Sequence, residues 1–397
     1  MSKPLIISTQ LVVLALIFIT VNSSESLPYH NILNYGAKTD GETDSTNAFL
    51  AAWIQACSSS KPATLHVPPG RFLLRNVAFR GKCKNNAILI RIEGTIVAPS
   101  DYRVIGHSEN WILFENVDGV TVVGGLLDGQ GSGLWNCKAT SKHCPAGATS
   151  LRFSNSNNIK IKGLTSINSQ MFNIVIHGCH KVKLAGIKIS SPGNSPNTDG
   201  IHVQMSSSVS IVNSKIGTGD DCISVGPATN HLWIQNISCG PGHGISIGSL
   251  GRGLHEEGVQ NVTVKTATFT GTENGVRIKS WARPSTGFAR DILFRDIVMK
   301  YVHNPIVIDQ NYCPHEKNCP HHQASGVKIS NVRYQNIYGT SATEVAMRFN
   351  CSKKDPCTGI ELENVDLTYK NQPADASCTN ADGTSSGSVN PASCLQL

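Results

Sequence analysis

Charge and aromatic rings are both scarce in this chain: 15% of its residues are Asp, Glu, Lys or Arg, and 6% are Phe, Trp or Tyr. The 34 Lys and Arg against 27 Asp and Glu give a formal charge of +7, but the basic residues are scattered, without a basic block. That pattern argues against nucleic acid as a partner, which calls for clustered cations and stacking rings. A polyanion such as an acidic polysaccharide fits better. Beyond Val21 there is no long apolar run, so no membrane-spanning helix is expected there. No Cys-x-x-Cys pair occurs among the 13 cysteines, which disfavours a zinc cluster. Helical periodicity is nearly absent as well, which sets aside helical repeats.

The one apolar run is Leu11–Val21, preceded by Lys3 and followed by the small residues of "NSSES". A positive start, a short apolar stretch and a small-residue cleavage region make residues 1–26 a secretory signal peptide. The remainder, 27–397, is expected to be one secreted, monomeric domain. Oxidising surroundings turn neighbouring cysteines into bridges. Cys137 stands near Cys144, Cys313 near Cys319, Cys351 near Cys357 and Cys378 near Cys394. Cys57 with Cys83 and Cys222 with Cys239 are plausible pairs too, although sequence alone does not fix connectivity. Cys179, in an apolar strand pattern, is left over as a buried free thiol. Asn236, Asn261 and Asn350 stand in sequons and are candidate glycosylation sites.

From about residue 117 one pattern returns: a polar residue or two, alternating apolar positions, then a Gly, Asn or Ser turn. "NIKIKGLTSINS" (158–169), "KVKLAGIKISS" (181–191) and "NVTVKTATFTG" (261–271) are examples. Counted from Val120, the strand starts recur after 39, 23, 27, 23, 30, 30, 35 and 33 residues, the last two steps running to Val327 and Ile360. Leucine-rich repeats share this range, but their fixed Leu/Asn scaffold is missing. Short strands at this period without helical linkers predict an all-β fold, a right-handed parallel β-helix of stacked coils. An antiparallel sandwich would not need one coil-length period. The one helical pattern, "STNAFLAAWIQAC" (45–57), carries apolar Phe49, Ala52, Trp53 and Ala56 and is expected to cap the open N-terminal end. The Ser/Gly/Asn-rich tail after Asn371, tied by Cys378 and Cys394, is expected to be irregular.

A second strand in each coil aligns better still: "GIHVQ" (200–204), "CISVG" (222–226), "GISIG" (244–248), "GVRIK" (275–279) and "PIVID" (305–309). Equivalent positions of successive coils stack about 4.8 Å apart. This register puts Asp199, Asp221 and His243 in one column, two residues ahead of the first apolar position. It stacks His202, Ser224, Ser246 and Arg277 in a second column, and Gln204, Gly226, Gly248 and Lys279 in a third. Adjacent strand residues point apart, but the Gly-flanked turn "GTGDDC" (217–222) lets Asp220 and Asp221 aim together. Glycoside hydrolysis needs a proton donor and a carboxylate that activates water or attacks directly. Asp199, Asp220 and Asp221 exceed that minimum, and their crowding raises the pKa of at least one. His243 is placed to tune the proton, and Arg277 and Lys279 suit a substrate carboxylate. Taken alone, His202 and Gln204 read as structural.

Four blocks, "SPNTDG" (195–200), "GTGDDC" (217–222), "GPGHGISIGSLG" (240–251) and "RIK" (277–279), together with "DGQGSGLW" (128–135) and "IDQNYC" (308–313), occur in this order. They resemble the signatures of the plant polygalacturonases of glycoside hydrolase family 28, over essentially the whole mature chain. The resemblance implies inverting hydrolysis of α-1,4-linked galacturonan, the backbone of de-esterified pectin, in the cell wall, with no cofactor and no metal. It also implies roles. Asp220 is similar to the general acid, and Asp199 and Asp221 to the pair that positions and deprotonates the attacking water. His243 resembles the histidine that supports the acid's protonation, Arg277 and Lys279 the cations that bind galacturonate carboxylates, and Tyr312 a substrate-contacting tyrosine. Cys222 and Cys239 look like the bridge beside the catalytic turn. Ser280 after "RIK", where threonine is usual, is a mild departure. Three rivals stand beside this reading: a pectate lyase, which needs calcium, a hydrolase of the mixed rhamnose–galacturonate backbone, and a catalytically silent wall-binding protein. The full "GHG…RIK" set argues against the second, and in the third loss of at least one of these polar groups is expected. Internal versus terminal cleavage depends on loops at the groove ends and stays open.

Overall fold

The computed structural model describes residues 27–396 except 142, 315–318 and 320–322, and the expected signal peptide lies outside the described residues. Two sheets, one of 18 strands and one of 11, run through the molecule. The smaller forms the floor of a groove and follows chain order throughout. Its strands are β1 (Val77–Arg80), β2 (Asn110–Glu115), β3 (Thr149–Ser154), β4 (Ile174–His177), β5 (Ile201–Gln204) and β6 (Ile223–Val225). They continue as β7 (Ile245–Leu250), β8 (Asn274–Trp281), β9 (Asn304–Tyr312), β10 (Val345–Asn350) and β11 (Asp375–Thr379). Between successive groove strands the chain passes through the larger sheet, which wraps the rest of each coil. A chain that returns in parallel, one strand further along each time, is a parallel β-helix, right-handed as parallel crossovers are.

Alternation explains the stack. Ile201, Ile223, Ile245, Val276 and Ile306 stand in register and are fully buried, so each coil lays an apolar layer on the next. On the larger sheet Val182, Val209, Leu232, Val262, Ile292, Val332 and Ile360 form a second buried ladder. The register therefore pairs Ile292 with Val332, not with Val327 as the sequence count has it. A left-handed corner causes the difference. Ser208, His231, Asn261, Asp291 and Asn331 share φ values of 53–56°, and Asn331 interrupts the alternation between Ile329 and Val332. Short polar side chains tolerate this backbone best, which is why Asn and Asp punctuate the repeat.

Helix α1 (Thr46–Ser58) closes the N-terminal end as expected, burying Phe49, Ala52, Trp53 and Ala56. Phe49 meets Phe72, and Trp53 meets Phe79 and Phe114. The C-terminal tail is not irregular. Its segments Asp375–Thr379 and Ala381–Asn390 pair with β10 and with Cys357–Tyr369, making a last coil. The previous coil offers a row of unpaired backbone groups, and a segment facing solvent satisfies them without an apolar pattern. Six disulfides form: Cys57–Cys83, Cys137–Cys144, Cys222–Cys239, Cys313–Cys319, Cys351–Cys357 and Cys378–Cys394. Cys179 is a buried free thiol. Among the described residues no helix is long and apolar enough to cross a membrane.

Candidate active site

Four successive turns, each entering a groove strand, gather the polar residues. The turn before β5 carries Asn197 and Asp199, the turn before β6 carries Asp220 and Asp221, and those before β7 and β8 carry His243 and Glu273. Backbone bonds lock each turn to the next: Gly200 N donates to Asp221 O (2.9 Å), Cys222 N to Gly244 O (2.8 Å), His243 N to Asp220 O (2.8 Å) and Glu273 N to Gly242 O (2.9 Å). Glycine is required where turns touch. A Cβ on Gly219 would lie 2.1 Å from Ser195 O, and one on Gly244, at φ +87°, 2.2 Å from Asn274 O. The Cys222–Cys239 bridge ties the double-aspartate turn to the strand end beneath it.

Asp221 is 1% exposed and its two oxygens are fully engaged. Oδ1 accepts from Arg277 Nη2 (2.9 Å) and Ser246 Oγ (2.7 Å), and Oδ2 accepts from Lys279 Nζ (2.7 Å). Burial, the largest influence, pushes its pKa up. The Lys279 and Arg277 charges, with the Lys279 and Ser246 hydrogen bonds, overcome burial and hold the carboxyl below its usual value. The two cations thus serve a protein carboxylate first. Both lie beside Tyr312, Lys279 Nζ at 5.1 Å and Arg277 Cζ at 5.9 Å from the ring centre, and that ring stands edge-on to Trp281 at 5.7 Å.

Asp199 has the opposite environment. It is 6% exposed, with Ser224 Oγ donating to Oδ2 (2.7 Å). Burial first, then the charges of Asp220 and Asp221, raise its pKa well above the ordinary carboxylate range. Ser224 Oγ also lies 2.8 Å from His202 Nδ1, whose ring stacks on Phe172. Asp220 is more open. Its Oδ1 accepts from Asp221 N (2.8 Å) and lies 3.2 Å from His243 Nδ1, and its Oδ2 accepts from Asn197 Nδ2 (3.4 Å). The other ring nitrogen of His243, Nε2, lies 3.2 Å from Glu273 Oε2.

All seven residues expected at the site therefore converge, five of them around a cleft of about 500 Å³ lined by Asp199, Asp220, Asp221, Lys279 and Tyr312 with Phe172, His202 and Arg252. Glu273, Ser224, Ser246 and Asn197 were missed as functional residues. Glu273 had a signal: it precedes Val276 by three residues, as Asp220 precedes Ile223, and Val276 and Ile223 share one column through Ile245. Asp220, Asp221 and His243 bring one possible metal-ligand atom each within 4.8 Å of one another. A cation there would compete with Arg277 and Lys279 for Asp221 and with Glu273 for the histidine ring.

Comparison with known proteins places this geometry. The model of glycosyl hydrolases family 28 matches residues 57–394. A polygalacturonase of Prunus persica is 62% identical over 96% of this chain and 98% of its own length. An exopolygalacturonase of Platanus acerifolia is 42% identical over 94% of this chain and 98% of its own. Among solved structures, an endo-xylogalacturonan hydrolase from Aspergillus tubingensis shares the fold with a TM-score of 0.76 at 23% identity, covering 90% of this chain and 100% of that one. With the family model spanning most of the sequence and relatives aligned along nearly all of it, the chain belongs to glycosyl hydrolases family 28, in its plant branch.

Proposed function

We propose that the chain is a polygalacturonase that hydrolyses α-1,4 bonds of de-esterified pectin with inversion at the anomeric carbon. The observation that carries the reading is that two neighbouring carboxyls stand in opposite protonation environments beside a third, Asp220, that contacts His243. Asp221 is clamped ionised by two cations, Asp199 is pushed toward its acid form, and Asp220 shares a contact with His243. In this mechanism Asp220 gives its proton to the glycosidic oxygen as the bond to the anomeric carbon breaks. Water attacks that carbon from the opposite face and passes a proton to the Asp199–Asp221 pair, whose one negative charge is what a water-activating base needs. Arg277, Lys279 and Tyr312 meet the sugar beside the cleaved bond. Arg277 has five N–H donors and spends Nε on Ser246 and one Nη2 hydrogen on Asp221, so donors remain for a galacturonate carboxylate. The same reading makes the protein a secreted, monomeric cell-wall enzyme without cofactor. Glycans are proposed at Asn236 and Asn261, which are exposed, and at the half-buried Asn350.

A calcium-dependent lyase fits less well, because both oxygens of Asp221 are already bound by cationic side chains. The test is incubation of the purified mature protein with polygalacturonic acid, following reducing ends and viscosity together. Asp220→Asn should lower turnover by roughly 10²–10⁴-fold with an unchanged circular dichroism spectrum. Near-parent turnover would remove Asp220 as the acid. Ultraviolet-absorbing products abolished by a chelator would replace hydrolysis with elimination.

A further inference from the structure

The fold collects what the sequence scatters. Between residues 129 and 255 the chain has ten Lys and Arg but only three acids, and these are Asp199, Asp220 and Asp221 of the site. Six of the ten, Lys160, Lys162, Lys181, Lys183, Lys188 and Lys215, are exposed on neighbouring strands of the larger sheet, away from the groove floor. The register sets Lys160 beside Lys183 and Lys188 beside Lys215, one strand spacing apart, about 4.8 Å. The four strands, 157–162, 180–185, 188–190 and 207–217, contain no Asp or Glu. Like charges stacked side by side on a sheet are destabilising, and none of these lysines has an ion-pair partner among the described residues. The face bends between the two lysine pairs at a second left-handed corner, Gly163, Gly186 and Asn213, and a groove of about 460 Å³ runs along the first part, lined by Lys160, Lys181 and Lys183 with Asn158, Ser208 and Ser210. It therefore offers cations for carboxylates beside serine hydroxyls for sugar hydroxyls, while Asn158 Nδ2 at its edge donates to Asp118 Oδ1 (2.6 Å).

We propose that this lysine face is a second, non-catalytic binding surface for a linear polyuronate, which docks the protein on the polymer while the groove works on it. Charge complementarity selects a polyanion. The four strands carry no Phe, Trp or Tyr, so they provide no platform for stacked bases, and a chain of uronates is the fitting occupant. The naming of the polymer rests on the functional reading above, whereas the surface does not.

The experiment compares the full mature protein with its Lys160→Gln/Lys183→Gln/Lys188→Gln/Lys215→Gln variant. Binding to calcium-cross-linked polygalacturonate particles is measured across a salt series, with Asp220→Asn added to both proteins so that nothing is cut. Affinity at low salt should fall roughly tenfold or more, and its salt dependence should flatten. With Asp220 intact, turnover of trigalacturonate should match the parent's, which shows that the fold and the groove survive. Equal retention with an equal salt slope would overturn the proposal. So would a loss confined to immobilised DNA with polygalacturonate binding unchanged. Lysine-dependent retention by a protein that does not hydrolyse the polymer would sustain the docking surface and refute the activity.

Discussion

His243 lies between two carboxylates, Asp220 at 3.2 Å from one ring nitrogen and Glu273 at 3.2 Å from the other. Burial, the largest single influence, lowers its pKa. The hydrogen bond and charge of Asp220, with the charges of Glu273 and Asp221, outweigh burial and hold it above the ordinary value. His243 therefore keeps its positive charge beside Asp220 to higher pH and loses it as pH rises through that raised pKa. Glu273→Gln removes one of the raising charges. The basic limb of the kcat/KM profile should therefore move to lower pH while the acidic limb stays in place. A basic limb that does not move would deny Glu273 this role. Asp199 gives a prediction of opposite kind. Its folded-state pKa is raised, so the folded protein holds that proton more tightly than the unfolded chain, and the penalty grows as pH rises above the ordinary carboxylate range. Asp199→Asn should be inactive yet melt higher at neutral pH, by on the order of one or two degrees. The difference should vanish below about pH 4, where the unfolded chain's carboxyl is protonated too. Melting curves from pH 3 to 8 check it, and a gain that persists at acid pH would point to packing instead.

The groove strands were legible because two simple signals coincide: period-2 alternation places Ile201, Ile223, Ile245, Val276 and Ile306 inside, and the turns before them have similar lengths. That was enough to align Asp199, Asp221 and His243 from the sequence. What each side chain holds was not legible, because backbone register does not say where long side chains end. Arg277 and Lys279 sit two strands from the strand entered by Asp221, yet both reach it. The turns themselves have little slack. The hypothetical Cβ of Gly219 meets Ser195 O at 2.1 Å, and the neighbouring Asp220 and Asp221 depend on that close approach. Gly219→Ala should displace the double-aspartate turn and lower kcat by roughly a hundredfold or more, as misplaced catalytic groups do, with KM less affected. An alanine variant with full kcat would show that the turn can shift without moving its carboxylates.

The whole molecule behaves as a stack in which each coil contacts its neighbours, and that sets both what composition could reveal and how damage spreads. Composition suggested scattered lysines and a shapeless tail. Stacking turned the first into a face and the second into a last coil, since both depend on pairing between distant residues. At the other end, Trp53 of α1 heads an aromatic column that descends from Phe79 through Phe114, stacked at 4.7 Å on Phe153, in β1, β2 and β3. Its indole Nε1 also donates to Arg80 O (3.2 Å). Trp53→Ala opens a cavity costing about 3–5 kcal/mol, and it opens it at the end of a solenoid whose stability is local. Hydrogen exchange should therefore accelerate in β1–β3 while β5–β8, beyond β4 and bearing the site, keep their protection. Turnover at 25 °C should stay within roughly twofold of the parent, because the turns before β5–β8 are locked to one another and not to the cap. Loss of protection in β5–β8 together with β1–β3 would mean that the coils unfold as one unit and that the cap stabilises the site directly.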